Sequence, residues 1–180
     1  MLEVLLSPNP LLLEPAAECD LNDDSLKKLS QDMIEVMYHY SGIGLAGPQV
    51  GVLKRIIVID IEYDPDKLDE TKNPVVLINP KFVKKSKEMV ESDEGCLSCP
   101  GISAPVLRHE SVTVEYFDLD GNKHSLDATE LLSKCLQHEM DHLEGKTLFQ
   151  TALPQARLQL IKDYEAAIAK GAIPGETSLK

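Results

Sequence analysis

The segment Gln137–Leu143 reads Gln-His-Glu-Met-Asp-His-Leu and lies in a stretch whose apolar residues recur at helical spacing. On a helix, His138 and His142 are about one turn apart, so both imidazoles lie on one face and can bind the same metal ion. Glu139 is rotated away from this pair but stays beside the ion, where it can hold a proton for a metal-bound water. The alternative is a solvated helix face that carries the pattern by chance. The apolar context favours a metal site.

Three helices are predicted from apolar residues that recur every three or four positions. The helix that carries the motif spans residues 128–144, with Asp127 as a candidate N-cap and Gly145 at its end. An N-terminal helix spans residues 23–40, and a C-terminal helix spans about 154–170. Residues 171–180 are expected to form a flexible tail.

Runs rich in β-branched residues predict the strands. They lie at residues 55–61, 75–78, 112–117 and 124–126, with an exposed polar loop at residues 62–73. The last two strands flank a turn signal and form a hairpin. Strands and helices do not alternate regularly, which favours an α+β fold over a parallel α/β sheet. We expect a single domain over residues 1–180, with antiparallel strands around a central helix that carries the His-Glu-x-x-His motif.

Composition excludes several classes of function. The formal net charge is −12 and the isoelectric point is about 4.8, so a surface that binds nucleic acid is not expected. No apolar stretch has the length of a membrane span, and the N-terminus lacks the pattern of a signal peptide. We therefore expect a cytoplasmic protein without membrane partners, whose cysteines serve in metal binding or catalysis rather than in disulfides.

Two histidines need a third ligand to form a catalytic metal site. Cys96 is the best candidate, because the glycines and the proline around it predict an irregular loop that can approach a helix. The alternative is that Cys96 is only a small buried hydrophobic residue.

A second glycine-rich segment, residues 41–51, contains the Gly-x-Gly-x-x-Gly spacing of dinucleotide-binding proteins. That spacing should follow a strand and open a helix, whereas here it follows a helix and leads into a strand. The segment is better interpreted as a substrate loop, because glycines have no side chain and let a peptide approach the backbone closely. Gln49 then supplies a side-chain amide donor.

Three ordered motifs resemble those of the peptide deformylase family, and the similarity runs from about Leu5 to Leu153. The motifs are Gly42–Gly51, Glu94–Ser98 and Gln137–Leu143. The resemblance implies a hydrolase that removes the formyl group from the N-terminal formyl-methionine of new polypeptides. It implies one divalent metal ion, Fe(II) natively, with Zn, Ni or Co in purified protein, since thiolate and imidazole ligands suit both zinc and iron.

The resemblance also assigns roles to residues. The implied metal ligands are Cys96, His138 and His142, with water in the fourth position. Glu139 is implied as the general base and acid, and Gln49 and the backbone N–H of Leu97 as donors to the oxyanion. The implied substrate-binding residues are Ile43, Gly44, Leu131 and Cys135 around the methionine, and Gly95 as a backbone contact. The C-terminal region mixes acidic and basic residues, so ribosome docking by a basic tail is not supported.

Three positions depart from the family pattern. Gly47 stands where Ala is usual, in what we expect to be a flexible loop, and Ser103 stands where many members carry Arg. Cys99 replaces an aliphatic residue and completes a Cys-x-x-Cys with Cys96. Either the two thiols form a disulfide when the metal is lost, or Cys99 fills an aliphatic pocket and faces away from Cys96 along an extended strand.

Two other functions share parts of this pattern. A zinc endopeptidase also uses His-Glu-x-x-His, but its third ligand is typically a downstream Glu or His. A structural zinc module could use Cys96, Cys99, His138 and His142, but the segment between the pairs is too long for a compact finger and Glu139 would have no role.

Overall fold

The computed structural model describes residues 1–178. Its helices are α1 (Ser25–His39), α2 (Leu68–Thr71), α3 (Glu130–Leu143), α4 (Leu148–Thr151) and α5 (Arg157–Ala169). Its strands are β1 (Gly44–Ala46), β2 (Ile56–Ile59), β3 (Val75–Lys85), β4 (Met89–Glu94), β5 (Ala104–His109), β6 (Ser111–Phe117) and β7 (Lys123–Thr129). None of the helices within residues 1–178 is long and apolar enough to cross a membrane.

The strands form two antiparallel sheets. One sheet has five strands in the order β1-β2-β3-β6-β7, and the other is the hairpin β4-β5. The expected α+β arrangement of antiparallel strands with N-terminal and C-terminal helices is confirmed. The hairpin predicted around residues 118–122 is also confirmed, with the N–H of Asp118 donating to the carbonyl of Asn122 at 2.9 Å.

Strand β3 is longer than the sequence predicts. The strand was expected to end at Ile78, before Asn79-Pro80, but pairing with β6 resumes at Lys81 after a shift in register. Asn79 has a positive φ of 49°. Its side-chain amide accepts a hydrogen bond from the N–H of Cys19 and donates one to the carbonyl of Cys19. This β-bulge accommodates a proline that cannot donate to the ladder, so the strand bends and continues.

Strands β4 and β5 were not predicted. In β4, exposed and half-buried residues alternate, but charged side chains occupy much of the strand and leave no apolar period. In β5, Pro105 and Arg108 interrupt the apolar pattern. The loop predicted at residues 62–73 is also partly wrong, because it contains the short helix α2.

Helix α3 begins two residues later than expected. Asp127 does not cap it, because it belongs to β7 and its carboxylate accepts a hydrogen bond from Thr113 Oγ1 at 2.7 Å. Thr129 is the N-cap residue. The apolar face of α3 packs on β1, β2 and β7, with Leu136 and Leu143 fully buried in the core beneath the five-stranded sheet.

The glycine-rich segment after α1 is more ordered than expected. It contains β1 and then a buried 3₁₀ turn over Gly47–Val50, so Gly47 does not lie in a flexible loop. At the other end of the chain, residues 171–178 form no helix or strand but lie against the loop around Gly101. The mobility expected of this tail stays a prediction.

The burial of α3 predicts a large cost for truncating its core side chains. Leu136→Ala should lower the free energy of unfolding by roughly 2 to 5 kcal/mol, because it leaves a cavity in a fully buried position. Leu158→Ala is the matched control, since Leu158 is also helical but 77% exposed. Urea denaturation of both variants tests the assignment. Equal losses of stability would contradict it.

Candidate metal centre and substrate cavity

Cys96, His138 and His142 bring three metal-ligand atoms together. The Sγ of Cys96 lies 3.4 Å from Nε2 of His142, and the Nε2 atoms of the two histidines are 3.3 Å apart. Within residues 1–178, this is the one group of cysteine, histidine or acidic residues whose ligand atoms all lie within 4.8 Å of one another. Atoms bound tetrahedrally to one ion at ordinary zinc–ligand lengths are about 3.3 to 3.6 Å apart. The three residues therefore fit a single metal ion.

A buried network orients the ring of His138. Its Nδ1 lies 2.9 Å from Oε1 of Glu94, which fixes that nitrogen as the hydrogen-bond donor and leaves Nε2 for a metal. Arg108 bonds both carboxylate oxygens of Glu94 at 2.8 Å and also Oδ2 of Asp141 at 2.5 Å. Burial alone would raise the pKa of Glu94, but Arg108 and His138 lower it to about 2.

The two histidines differ in their electrostatic surroundings. Burial works to lower the pKa of His138, but the hydrogen bond to Glu94 and the charge of Glu139 outweigh it and raise the pKa. Burial and the neighbouring charges of His138 and Arg108 lower the pKa of His142 well below its usual value, so its ring is neutral. Of the two histidines, His138 is therefore the one at which a proton competes with a metal ion, and the Cys96 thiol, whose pKa is raised well above its ordinary value by the hydrogen bond with Cys99 and by burial, must also lose its proton.

Glu139 lies beside the ligand group in a buried position. Burial, the largest effect, raises the pKa of its carboxyl to about 7, although the charge of His138 opposes the shift. Its Oε2 has no hydrogen-bond partner among residues 1–178. A Cβ built on Gly44 would lie 2.7 Å from Oε1 and 2.9 Å from Cγ of Glu139, so any larger residue here would have to displace the Glu139 side chain.

The loop that carries Cys96 is held from behind by the N-terminal segment. The N–H of Cys99 donates to the carbonyl of Cys96 at 3.0 Å, so these residues form a turn and not the extended strand considered above. Cys99 is fully buried in an apolar cluster, 3.6 Å from the hydroxyl of Ser7, and its thiol also interacts with that of Cys96. All four cysteines are free, and Cys99 does not join the metal-ligand group.

Gln49 and Leu97 are both neighbours of Cys96. The side-chain oxygen Oε1 of Gln49 accepts a hydrogen bond from the N–H of Ala46 at 2.9 Å, which fixes the orientation of the side-chain amide. Its Nε2 lies 3.1 Å from the hydroxyl of Ser98 and 3.6 Å from Sγ of Cys96. Leu97 follows Cys96 directly in the chain, so its N–H is adjacent to the same ligand.

A cavity of about 370 Å³ opens onto this group. Its wall contains every residue predicted to bind substrate: Ile43, Gly44, Gly95, Leu131 and Cys135. Cys96, Leu97, His138 and Glu139 also line it, whereas Gln49 and His142 contact Cys96 from outside the wall. Their individual roles stay predictions.

Sequence reasoning missed several residues around the cavity. Glu94 was part of a motif but received no role, and Arg108 and Asp141 were not singled out. Asp141 follows His138 by three positions on the helix, a spacing that could have suggested a shared face. Arg108 offered no local signal, because its partners come from β4 and α3. Gly175–Thr177 also line the cavity, although they belong to the segment expected to be a tail.

Comparison with known proteins gives a consistent result. The model of a family described as polypeptide deformylase matches residues 1–157. A peptide deformylase from Nitrosococcus oceani is 47% identical over 146 residues, which cover 81% of this chain and 83% of that protein. A second one, from Rhizobium meliloti, is 39% identical over 94% of this chain and 95% of its own length.

Solved structures agree over almost the whole chain. A peptide deformylase from Legionella pneumophila superimposes with a TM-score of 0.85 at 36% identity, covering 94% of this chain and 96% of that one. The enzyme from Synechococcus elongatus, solved in complex with actinonin, gives a TM-score of 0.82 at 40% identity and covers 95% and 88% of the two chains.

The buried ion pair of Glu94 predicts how stability depends on pH. Because the folded-state pKa is depressed from 4.5 to about 2, the pair stabilises the protein above pH 4.5, and this contribution is lost as the pH falls towards 2. In metal-free protein, the difference in unfolding free energy between wild type and Glu94→Gln should shrink by roughly 3 kcal/mol over that range. Urea denaturation at several pH values measures it, with exposed Glu35→Gln as control. Parallel pH curves for wild type and Glu94→Gln would contradict the assignment.

Proposed function

Because this chain belongs to the peptide deformylase family, we propose that it removes the formyl group from the N-terminal formyl-methionine of newly synthesised polypeptides and releases formate. The observation that carries the proposal is the position of Glu139. Its carboxylate is buried beside Cys96, His138 and His142 and reaches the wall of a cavity that can admit a peptide terminus.

The cavity suits an apolar side chain next to a polar reaction centre. Ile43, Leu131 and Cys135 supply apolar surface, and burial raises the pKa of the Cys135 thiol well above its ordinary value, so it stays neutral. We assign the methionine side chain to this surface. Gly44 then lets the substrate backbone approach Glu139, and Gly95 supplies a backbone contact on the opposite wall.

Cys96, His138 and His142 would hold one divalent metal ion, Fe(II) in this proposal, and their sulfur and imidazole donors fit iron or zinc. When bound, the ion supplies Lewis-acid chemistry, which polarises a carbonyl and lowers the pKa of a water molecule. Glu94 keeps the ring of His138 in the required tautomer, and Arg108 keeps Glu94 ionised. Helix α3, with these histidines, is the catalytic helix of the proposed active site.

Glu139 moves the proton. With a pKa near neutrality, its carboxylate can accept a proton from the attacking water and then return it to the nitrogen of the leaving amine. The C–N bond of the formamide breaks in this second step, so formate and a free N-terminal amine are the products. The close approach of β1 at Gly44 keeps the carboxylate facing the cavity.

Gln49 and Leu97 stabilise the developing oxyanion. The amide of Gln49 is already oriented by Ala46, so its Nε2 can donate without a large rearrangement. The backbone N–H of Leu97 supplies a second donor next to Cys96. Nε2 of Gln49 contacts the Cys96 sulfur at 3.6 Å, and an oxyanion in the cavity would take the place of this sulfur acceptor.

The direct test is anaerobic purification followed by metal analysis and an assay of formate release from a formyl-Met tripeptide. The assay runs beside one with casein, which a zinc endopeptidase would cleave. We expect about one metal ion per chain, formate release and intact casein. Casein cleavage without formate release would replace the proposal with the endopeptidase.

Glu139→Gln should keep the metal and lose most turnover. A proton shuttle contributes roughly 10² to 10⁴-fold, and the amide cannot accept the proton. Formate release and metal content are measured on the same sample. Near-normal kcat in metal-loaded Glu139→Gln would exclude this role.

Gln49→Leu should reduce kcat by about 10² to 10³, which corresponds to the loss of one oxyanion donor. KM should change much less, because the contact tightens only as charge develops. Steady-state kinetics on a formyl-Met tripeptide separate the two constants, and Gln31→Leu, at an exposed position of α1, is the control for the substitution itself. A change confined to KM would make Gln49 a binding residue instead.

A further inference from the structure

The segment Gly175–Thr177, which we call the C-terminal strap, lies at the substrate cavity although it comes after the last helix. All three residues line the same cavity as His138 and Glu139. The strap falls outside residues 1–157, which the family model matches. The family match therefore says nothing about the strap, and its contacts in this chain are the evidence for its role.

Contacts on both sides hold the strap across the cavity. On one side, Gly175 packs on the carbonyl of Tyr40, at the end of α1 and just before the wall residues Ser41–Ile43. On the other side, the carbonyl of Glu176 accepts the N–H of Gly101 at 2.9 Å, and the hydroxyl of Thr177 donates to the carbonyl of Ile102 at 3.4 Å. The strap is thus anchored beside Tyr40 at one end and on the loop that contains Gly101 and Ile102 at the other.

The packing at Gly175 is too close for any other residue. A Cβ there would lie 2.4 Å from the carbonyl oxygen of Tyr40, and the residue has a φ of +91°. Beyond the strap, the hydroxyls of Ser178 and Ser103 lie 2.5 Å apart. Many members of the peptide deformylase family carry Arg at the position of Ser103. The end of the strap thus lies next to a side chain that is smaller here than in those members.

The strap also reaches the residue assigned to the substrate backbone. A Cβ built on Gly95 would lie 3.2 Å from Oγ1 of Thr177, so Thr177 covers one face of Gly95. Because the cavity still has a volume of about 370 Å³ with the strap in position, the strap borders the cavity and does not fill it. A peptide that enters with its formyl end at Glu139 can run outward along the strap.

We propose that the C-terminal strap is a substrate-contacting element that binds the residues following formyl-methionine. This inference rests on the proposed deformylase function and deepens it. The strap adds backbone and side-chain surface at the outer end of the groove, where a one-residue substrate does not reach. It should therefore lower KM for longer peptides and leave the chemical step unchanged.

The test compares formyl-Met-amide with formyl-Met-Ala-Ala on wild type and three variants. The first variant ends at Pro174 and lacks the strap. The second, Gly175→Ala, keeps the chain length but displaces the strap from Tyr40. The control, Gly121→Ala, introduces the same backbone strain at a φ of +80° in a distant hairpin turn, where a Cβ meets nothing within 4 Å. Thermal melting checks that each variant folds.

Both strap variants should raise KM for the tripeptide by about tenfold, with kcat and the KM for formyl-Met-amide nearly unchanged and Gly121→Ala like wild type. Three results would overturn the proposal: no change with either substrate, equal changes with both, or a lower tripeptide KM, which would mean that the strap obstructs the groove. If the truncated chain does not fold, Gly175→Ala decides by the same criteria. Absence of formate release from both substrates by the intact, metal-loaded chain would instead overturn the proposed function itself.

Discussion

The buried guanidinium of Arg108 is the interaction on which the geometry of this site depends. It is 5% exposed and joins Glu94 of β4 to Asp141 of α3 while itself belonging to β5. A buried cation needs partners that compensate its lost hydration, and two carboxylates in hydrogen-bond contact supply them. The small sheet β4-β5 and helix α3 are therefore fixed relative to each other by charge as well as by apolar packing. That constraint in turn sets the position of His138, because the same Glu94 carboxylate holds its Nδ1.

Burial then gives neighbouring groups different chemical properties. Glu94 and Glu139 are both carboxylates within one site. Arg108 keeps Glu94 ionised, whereas burial raises the pKa of Glu139 to about 7. The difference follows from partners: Glu94 has a guanidinium and an imidazole, whereas one oxygen of Glu139 has no partner among residues 1–178. One carboxylate is suited to orienting a ligand and the other to exchanging a proton.

Most of the helical framework and the pair of candidate histidine ligands could be predicted from the sequence, because both signals are local. Each of the helices α1, α3 and α5 shows its own periodic apolar residues, and the spacing of His138 and His142 is visible within α3.

Strands β4 and β5 were missed because their stability comes from strand pairing and from the ion pairs of Arg108, not from a periodic pattern of apolar residues. The end of β3 was misplaced because a bulge that accepts Pro80 depends on contacts of Asn79 with Cys19, sixty positions away. The partnership of Arg108 with Glu94 and Asp141, like the path of the strap, is set by tertiary contacts that no window of sequence contains.

The support behind the Cys96 loop has a consequence for how the protein is made. Ser7 contacts Cys99 and bonds the carbonyl of Ser98 through its N–H at 2.9 Å, while the hydroxyl of Tyr164 in α5 donates to the carbonyl of Ser7 at 2.6 Å. Two residues 157 positions apart thus meet behind the loop of the proposed ligand Cys96. During synthesis, Ser7 emerges long before its partner Tyr164, so the loop gains its full support only after α5 has been made. An enzyme proposed to act on emerging polypeptides thereby completes the support of its own proposed active site only once α5 has left the ribosome.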